Sequence, residues 1–207
     1  MDIQFYGANC VTVTYKGMRI VVDDNLAELG AKSIVKADDI VLYTGAHESN
    51  AAEGRLMFDS PGEFEVSDIS IIGIPERAHL DEDGLRATMF KIITSDISLL
   101  IVGHVYPNIN EDQLERIGLV DVMVVPVGGS GYTLDPLGAL KLIKEIEPKI
   151  IIPTHYAVEG ISYPVPQIDL SAALKELGME SREQAGKLKL KASDIIDTVQ
   201  LVVLEKS

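Results

Sequence analysis

The chain has 207 residues, with 18 basic against 32 acidic side chains for a formal charge of −14, and 46% of it is hydrophobic. That apolar content excludes a disordered chain and calls for a packed core, in one domain or two fused halves. The negative charge argues against nucleic-acid binding, since no Lys/Arg cluster is dense enough to override it.

Residues 3–6, 10–15 and 18–23 are β-rich runs, and Lys16-Gly17 is a tight turn between the second and third. Further strands are expected over 40–44, 56–59, 63–66, 69–75, 88–94 and 97–103, with Pro61-Gly62 as a turn signal. A short helix over 111–117 precedes the almost wholly apolar run 120–127, which suits a strand buried on both faces. Asp135-Pro136 then opens a helix, with Asp as N-cap and Pro at the first helical position. Its Leu137, Leu140, Ile143 and Ile146 lie at spacings that share a face. The run 149–153 is another strand, 169–177 an amphipathic helix ended by Gly178, and 188–191 and 199–204 are closing strands. Strands first and strand–helix alternation later imply an α/β or α+β sheet protein with at least two sheet layers.

Cys10, the single cysteine, excludes an internal disulfide and reads as a small core residue. With no basic leader in residues 1–4, it predicts a reducing, cytoplasmic setting. No apolar run approaches the ~18 residues of a membrane span, so no membrane partner is expected.

The four histidines carry the chemistry. His47, His79, His104 and His155 each follow an apolar strand candidate by a few residues, where loops converge above a rigid sheet. A lone loop histidine is ordinarily a surface or hydrogen-bonded residue. Four in equivalent places also suit a metal, since a catalytic zinc needs three protein ligands and an open position. No His-x-His pair supplies local ligand spacing. Gly128-Gly-Ser-Gly131 before the Asp135 helix either cradles an anion or is a turn that lets backbone approach closely. Ser130 lacks the strand–elbow–helix context of a nucleophile.

Phe5-Tyr-Gly-Ala-Asn-Cys10, Ile20-Val-Val-Asp23, Pro61-Gly-Glu-Phe-Glu-Val66 and Ile71-Ile-Gly-Ile-Pro75 together resemble the metallo-β-lactamase-fold hydrolases. So, more specifically, do the block from Val120 to Gly129, Gly131-Tyr-Thr-Leu-Asp135, and the block from Glu147 to Tyr156. The resemblance is to the branch of L-ascorbate-6-phosphate lactonase and related zinc-dependent hydrolases. It implies a single domain over 1–207, an αββα four-layer sandwich with its site along one edge. The family's His-x-His-x-Asp-His loop falls on Gly45-Ala-His47-Glu-Ser-Asn50, which keeps one histidine. His79 and His155 match two later ligands, His104 stands where a bridging aspartate is usual, and Ala8-Asn9 replace the branch's opening histidine. The two-metal site is therefore not reproduced. What the resemblance leaves is at most one metal, zinc or else manganese or iron, on His47, His79 and His104, with His155 as fourth ligand or acid/base. Glu48, Asp23 and Asp24 are either carboxylate helpers or ordinary solvated and turn-forming residues. The implied activity is hydrolysis of a lactone, ester or phosphoester in a small anionic substrate. The competing expectation is an inactive binding scaffold that keeps the fold without metal. A homo-oligomer is compatible with either.

Overall fold

The structure, a computed structural model, describes residues 1–45, 54–80 and 87–207. Strands β1 (Asp2–Gly7), β2 (Cys10–Tyr15) and β3 (Met18–Val22) form an antiparallel meander. Lys16 and Gly17 both have positive φ (46° and 85°), the backbone that a two-residue turn needs to match strand twist. Strands β4 (Ile40–Leu42) and β5 (Leu56–Phe58) add to β3 in parallel. The chain then changes sheet. Strands β6 (Gly62–Val66), β7 (Ile69–Glu76), β8 (Ala87–Ile93) and β9 (Ser98–Ile101) run antiparallel in the second sheet.

From there helices alternate with strands: α1 (Glu111–Ile117), β10 (Val122–Pro126), α2 (Pro136–Ile146), β11 (Ile150–Thr154) and α3 (Leu170–Leu177). The strands β12 (Ser181–Ala185), β13 (Leu188–Lys189) and β14 (Gln200–Leu204) finish the chain. The first sheet has the order β13-β1-β2-β3-β4-β5 and the second β12-β14-β11-β10-β9-β8-β7-β6. This is an α/β sandwich of two mixed sheets with few helices.

Strand alternation decides what fills it. Ile3, Phe5, Val11, Val13, Ile20 and Val22 face inward and share one core with Ile71, Phe90 and Ile92 of the other sheet. The opposite faces of the same strands put Tyr6, Cys10 and Val21 outward, where Leu26 and Ile161 cover them in a second, smaller core. Cys10 is thus a buried core residue, as its strand position predicts. Among the described residues this outer face is closed by turns and loops around 26–35 and 158–163, while α2 and α3 pack together beside the larger sheet. No helix of the described residues is long and apolar enough to cross a membrane.

One local expectation changes, and two features add to the sequence reading. Leu137 is 63% exposed, because the buried stripe of α2 runs through Pro136, Ala139, Leu142, Ile143 and Ile146. The Pro61-Gly62 segment is a crossing between sheets, closed by a stack of Phe58 on Phe64 with ring centroids 4.0 Å apart. Strand β12 carries no apolar alternation and exists through its pairing with β14.

Candidate metal centre

The site is built at one end of the second sheet, where β9, β10 and β11 run parallel and their carboxyl ends release loops side by side. Gly103-His104 follows β9 and His155 follows β11 directly, while His79 follows β7. An isolated antiparallel bridge between Ala78 and Val105 ties two of these loops together, flanked by His79 N–H donating to the His104 carbonyl (2.9 Å) and Tyr106 N–H donating to the Arg77 carbonyl (2.9 Å). Val105 is fully buried in the core. Side chains alternate along extended backbone, so His104 and Tyr106 turn to the other side, as do Arg77 and His79 opposite them.

His104 and His155 are brought into contact, with ring centroids 4.7 Å apart and edge-on. Tyr132 lies against both (5.4 and 5.7 Å), and Tyr163 lies against His155 at 5.2 Å. His155 is buried and sits at φ +57°, held by its N–H to the Ala8 carbonyl at 2.8 Å. Its Nδ1–H donates to Gln167 Oε1 (3.1 Å), whose Nε2 in turn donates to the Val165 carbonyl. That arrangement leaves the lone pair on Nε2. Burial pushes the His155 ring down to about 4, against the pull of the Gln167 bond. His104, half-buried, is pushed down to about 3 by desolvation and by His155, with the Tyr132 main chain opposing. Burial also lowers His79, whose Nδ1 is buried and has no hydrogen-bond partner among the described residues. All three are neutral imidazoles near pH 7, the state in which imidazole ligates.

The carboxylates have other work. Asp23, buried at φ +47°, accepts from Thr44 N–H (2.7 Å) and Oγ–H (2.6 Å). Thr44 also accepts from Thr88 N–H and lies directly under Gly103, so it locks the two sheets together below the site. Asp24 Oδ2 accepts from Ser33 Oγ–H, Ile34 N–H and Val35 N–H. Neither aspartate is the solvated charge that its sequence position also allowed. Gly128 has no room for a Cβ beside the His155 carbonyl and Gln167, so at that position the glycine serves close backbone approach at the site's edge.

A profile of the β-lactamase superfamily domain matches residues 2–155, more than half of the chain. The chain belongs to the metallo-β-lactamase superfamily. A protein described as a Zn-dependent hydrolase of that superfamily, from Thermotoga maritima, superimposes with a TM-score of 0.75 at 23% identity, covering 99% of this chain and 98% of that one. The metallo hydrolase Igni18 of Ignicoccus hospitalis gives 0.60 at 16% identity, covering 99% and 95%. The diiron β-hydroxylase CmlA of Streptomyces venezuelae gives 0.60 at 14%, covering 86% of this chain and 49% of its own. No curated protein sequence matches. At these identities the structural likeness establishes the fold, and superfamily membership makes a metal cofactor plausible without assigning one.

Asp23 accepts from Thr44 and Asp24 from its own loop as above, and Asp135 caps α2 by accepting from Gly138 N–H at 2.7 Å. Among the described residues no three His, Cys, Asp or Glu side chains enclose a metal. What the fold brings together is the pair His104–His155, with His79 tied to it through the backbone. His47 and Glu48 lie outside the described residues. Tyr132, Tyr163 and Gln167 were not singled out by sequence reasoning. Gln167 sits in a loop with no motif of its own, and Tyr132 lies in the Gly131-Tyr-Thr-Leu-Asp135 block, which carries the resemblance but was not read as part of the site.

Proposed function

We propose that the protein hydrolyses a lactone, ester or phosphoester with the help of no more than one metal ion, zinc or else manganese or iron. His104 and His155 would hold it, with His79 and His47 as the further imidazoles. The observation that carries this reading is the contact of two neutral imidazoles, His155 buried and His104 half-buried, at the carboxyl ends of the parallel strands that flank β10. When bound, such an ion supplies Lewis acidity and a nucleophile usable at neutral pH. The chain's own residues do the rest. Gln167 fixes the His155 tautomer, Tyr132 and Tyr163 exclude water from its ring, and Thr44 keeps the Gly103 turn registered over the first sheet. A cytoplasmic setting, in which buried Cys10 stays a thiol, is part of the same reading.

Elemental analysis of protein purified without chelator tests it. One metal per chain is expected, falling severalfold in His104→Ala and in His155→Ala. Well under one metal per chain after zinc, manganese and iron have each been added would overturn the reading in favour of a metal-free scaffold.

A further inference from the structure

Arg77 is placed by the same bridge that places the histidines. It follows β7, and Ala78 pairs with Val105, so Arg77 stands opposite Tyr106 just as His79 stands opposite His104. The Arg77 guanidinium lies over the Tyr106 ring, 3.6 Å from its centroid, and the same ring is 6.4 Å from that of His79. This is a stacked cation beside the candidate metal centre, one pair further along the ladder. Two residues of extended backbone separate the pairs, roughly 7 Å.

Stacking fixes the plane of the guanidinium and leaves its donors pointing along that plane. Among the described residues none of those donors meets a carboxylate, and Nε is buried with no hydrogen-bond partner. The acid adjacent in sequence does not serve. Glu76 turns away, accepting from Gln113 Nε2 and from the Arg77 backbone N–H (2.7 Å). Among the described residues this guanidinium is held without a carboxylate partner although the chain has 32 acidic side chains, and its buried Nε is a donor left for a ligand beside the histidines. The rim beside it is apolar, with Tyr106 38% and Leu80 63% exposed. Overall charge would repel anions, so a local cation is also what lets one approach.

We propose that Arg77, stacked on Tyr106, is the specificity residue for substrates that carry an anionic group, a carboxylate or phosphate, about 7 Å from the bond to be cleaved. This deepens the reading of the histidine centre and rests on it for the position of the reacting bond, but anion binding by Arg77 is measurable by itself. The arginine is a binding residue and takes no part in bond breaking.

The probes are 4-acetamidobenzoate and 4-acetamidophenyl phosphate, against the neutral methyl ester of the first, titrated by calorimetry into chelator-treated and zinc-loaded protein. Wild type should bind at least one anionic probe about tenfold more tightly than the neutral ester, as one charge-assisted hydrogen-bond pair predicts. The carboxylate and phosphate arms tell which anion is preferred. Arg77→Met should erase the difference, and Arg77→Lys should keep part of it. In wild type, nuclear Overhauser contacts should link the probe to the Tyr106 ring, a readout that needs no variant. Equal binding of charged and neutral probes by wild type, an undiminished preference in Arg77→Met, or no contact at Tyr106 would each overturn the proposal. Metal stoichiometry, measured on the same samples, decides the histidine reading separately, so a protein that binds the anion without metal refutes that reading and not this one.

Discussion

Thr44 shows how single residues below the site divide the work between stability and chemistry. It donates twice to Asp23, accepts from Thr88 N–H in the other sheet, and lies where a Cβ on Gly103 would have to be. The Asp23 carboxylate is therefore an anchor, and replacing it should show as lost stability. Asparagine tolerates the left-handed backbone at Asp23 but gives up a charge-assisted acceptor. Asp23→Asn should lower the unfolding free energy in urea by about 1.5–3 kcal/mol while leaving metal content unchanged. Lost metal at undiminished stability would make Asp23 a site carboxylate after all. Gly103, at φ +68°, is held to glycine by both backbone and space. Gly103→Ala should cost at least ~2 kcal/mol, since αL strain adds to a clash with Thr44. A cost under half of that would mean that Thr44 moves freely.

At the scale of elements, helix ends were legible because their signals are local. Asp135 caps α2 with Pro136 behind it, and Gly178 closes α3 at φ +65°, as their residue types dictate. Asp135→Ala should cost about 1 kcal/mol in urea unfolding through the lost bond to Gly138 N–H. No change would mean that tertiary packing alone holds the first turn. The apolar strands β10 and β11 were equally legible, since burial on both faces leaves a continuous hydrophobic run. Strand β12 was not, because its residues are solvent-facing and only a partner makes them a strand. The site divides the same way. That histidines follow strands is written along the chain, so their strand-end positions could be read. Arg77 and Tyr106 meet through one bridge across 27 residues, and His155 meets Gln167 in a loop shaped by Gly128. Those are tertiary facts with no local signature.

For the molecule as a whole, the buried centre should make stability fall in acid. His155 is 2% exposed and neutral in the folded chain, with its ring held down to about 4, whereas an unfolded histidine titrates near its ordinary ~6.5. Between those values the unfolded chain binds one proton more. Stability is then fully present above about pH 6.5 and is lost as pH falls toward about 4, by up to ~1.4 kcal/mol per pH unit. The chain's charge of −14 acts the other way over part of this range, because protonating exposed acids relieves self-repulsion. A bare pH profile would mix the two effects. The difference between wild type and His155→Asn removes the second, since asparagine accepts the φ of +57° at this position and does not titrate. Urea unfolding of both proteins in chelator, from pH 7 to 4.5, should show wild type losing about 2–3 kcal/mol more than the variant. Parallel profiles would mean that the His155 ring takes up its proton in the fold near the ordinary ~6.5, so that burial does not hold it neutral through acid.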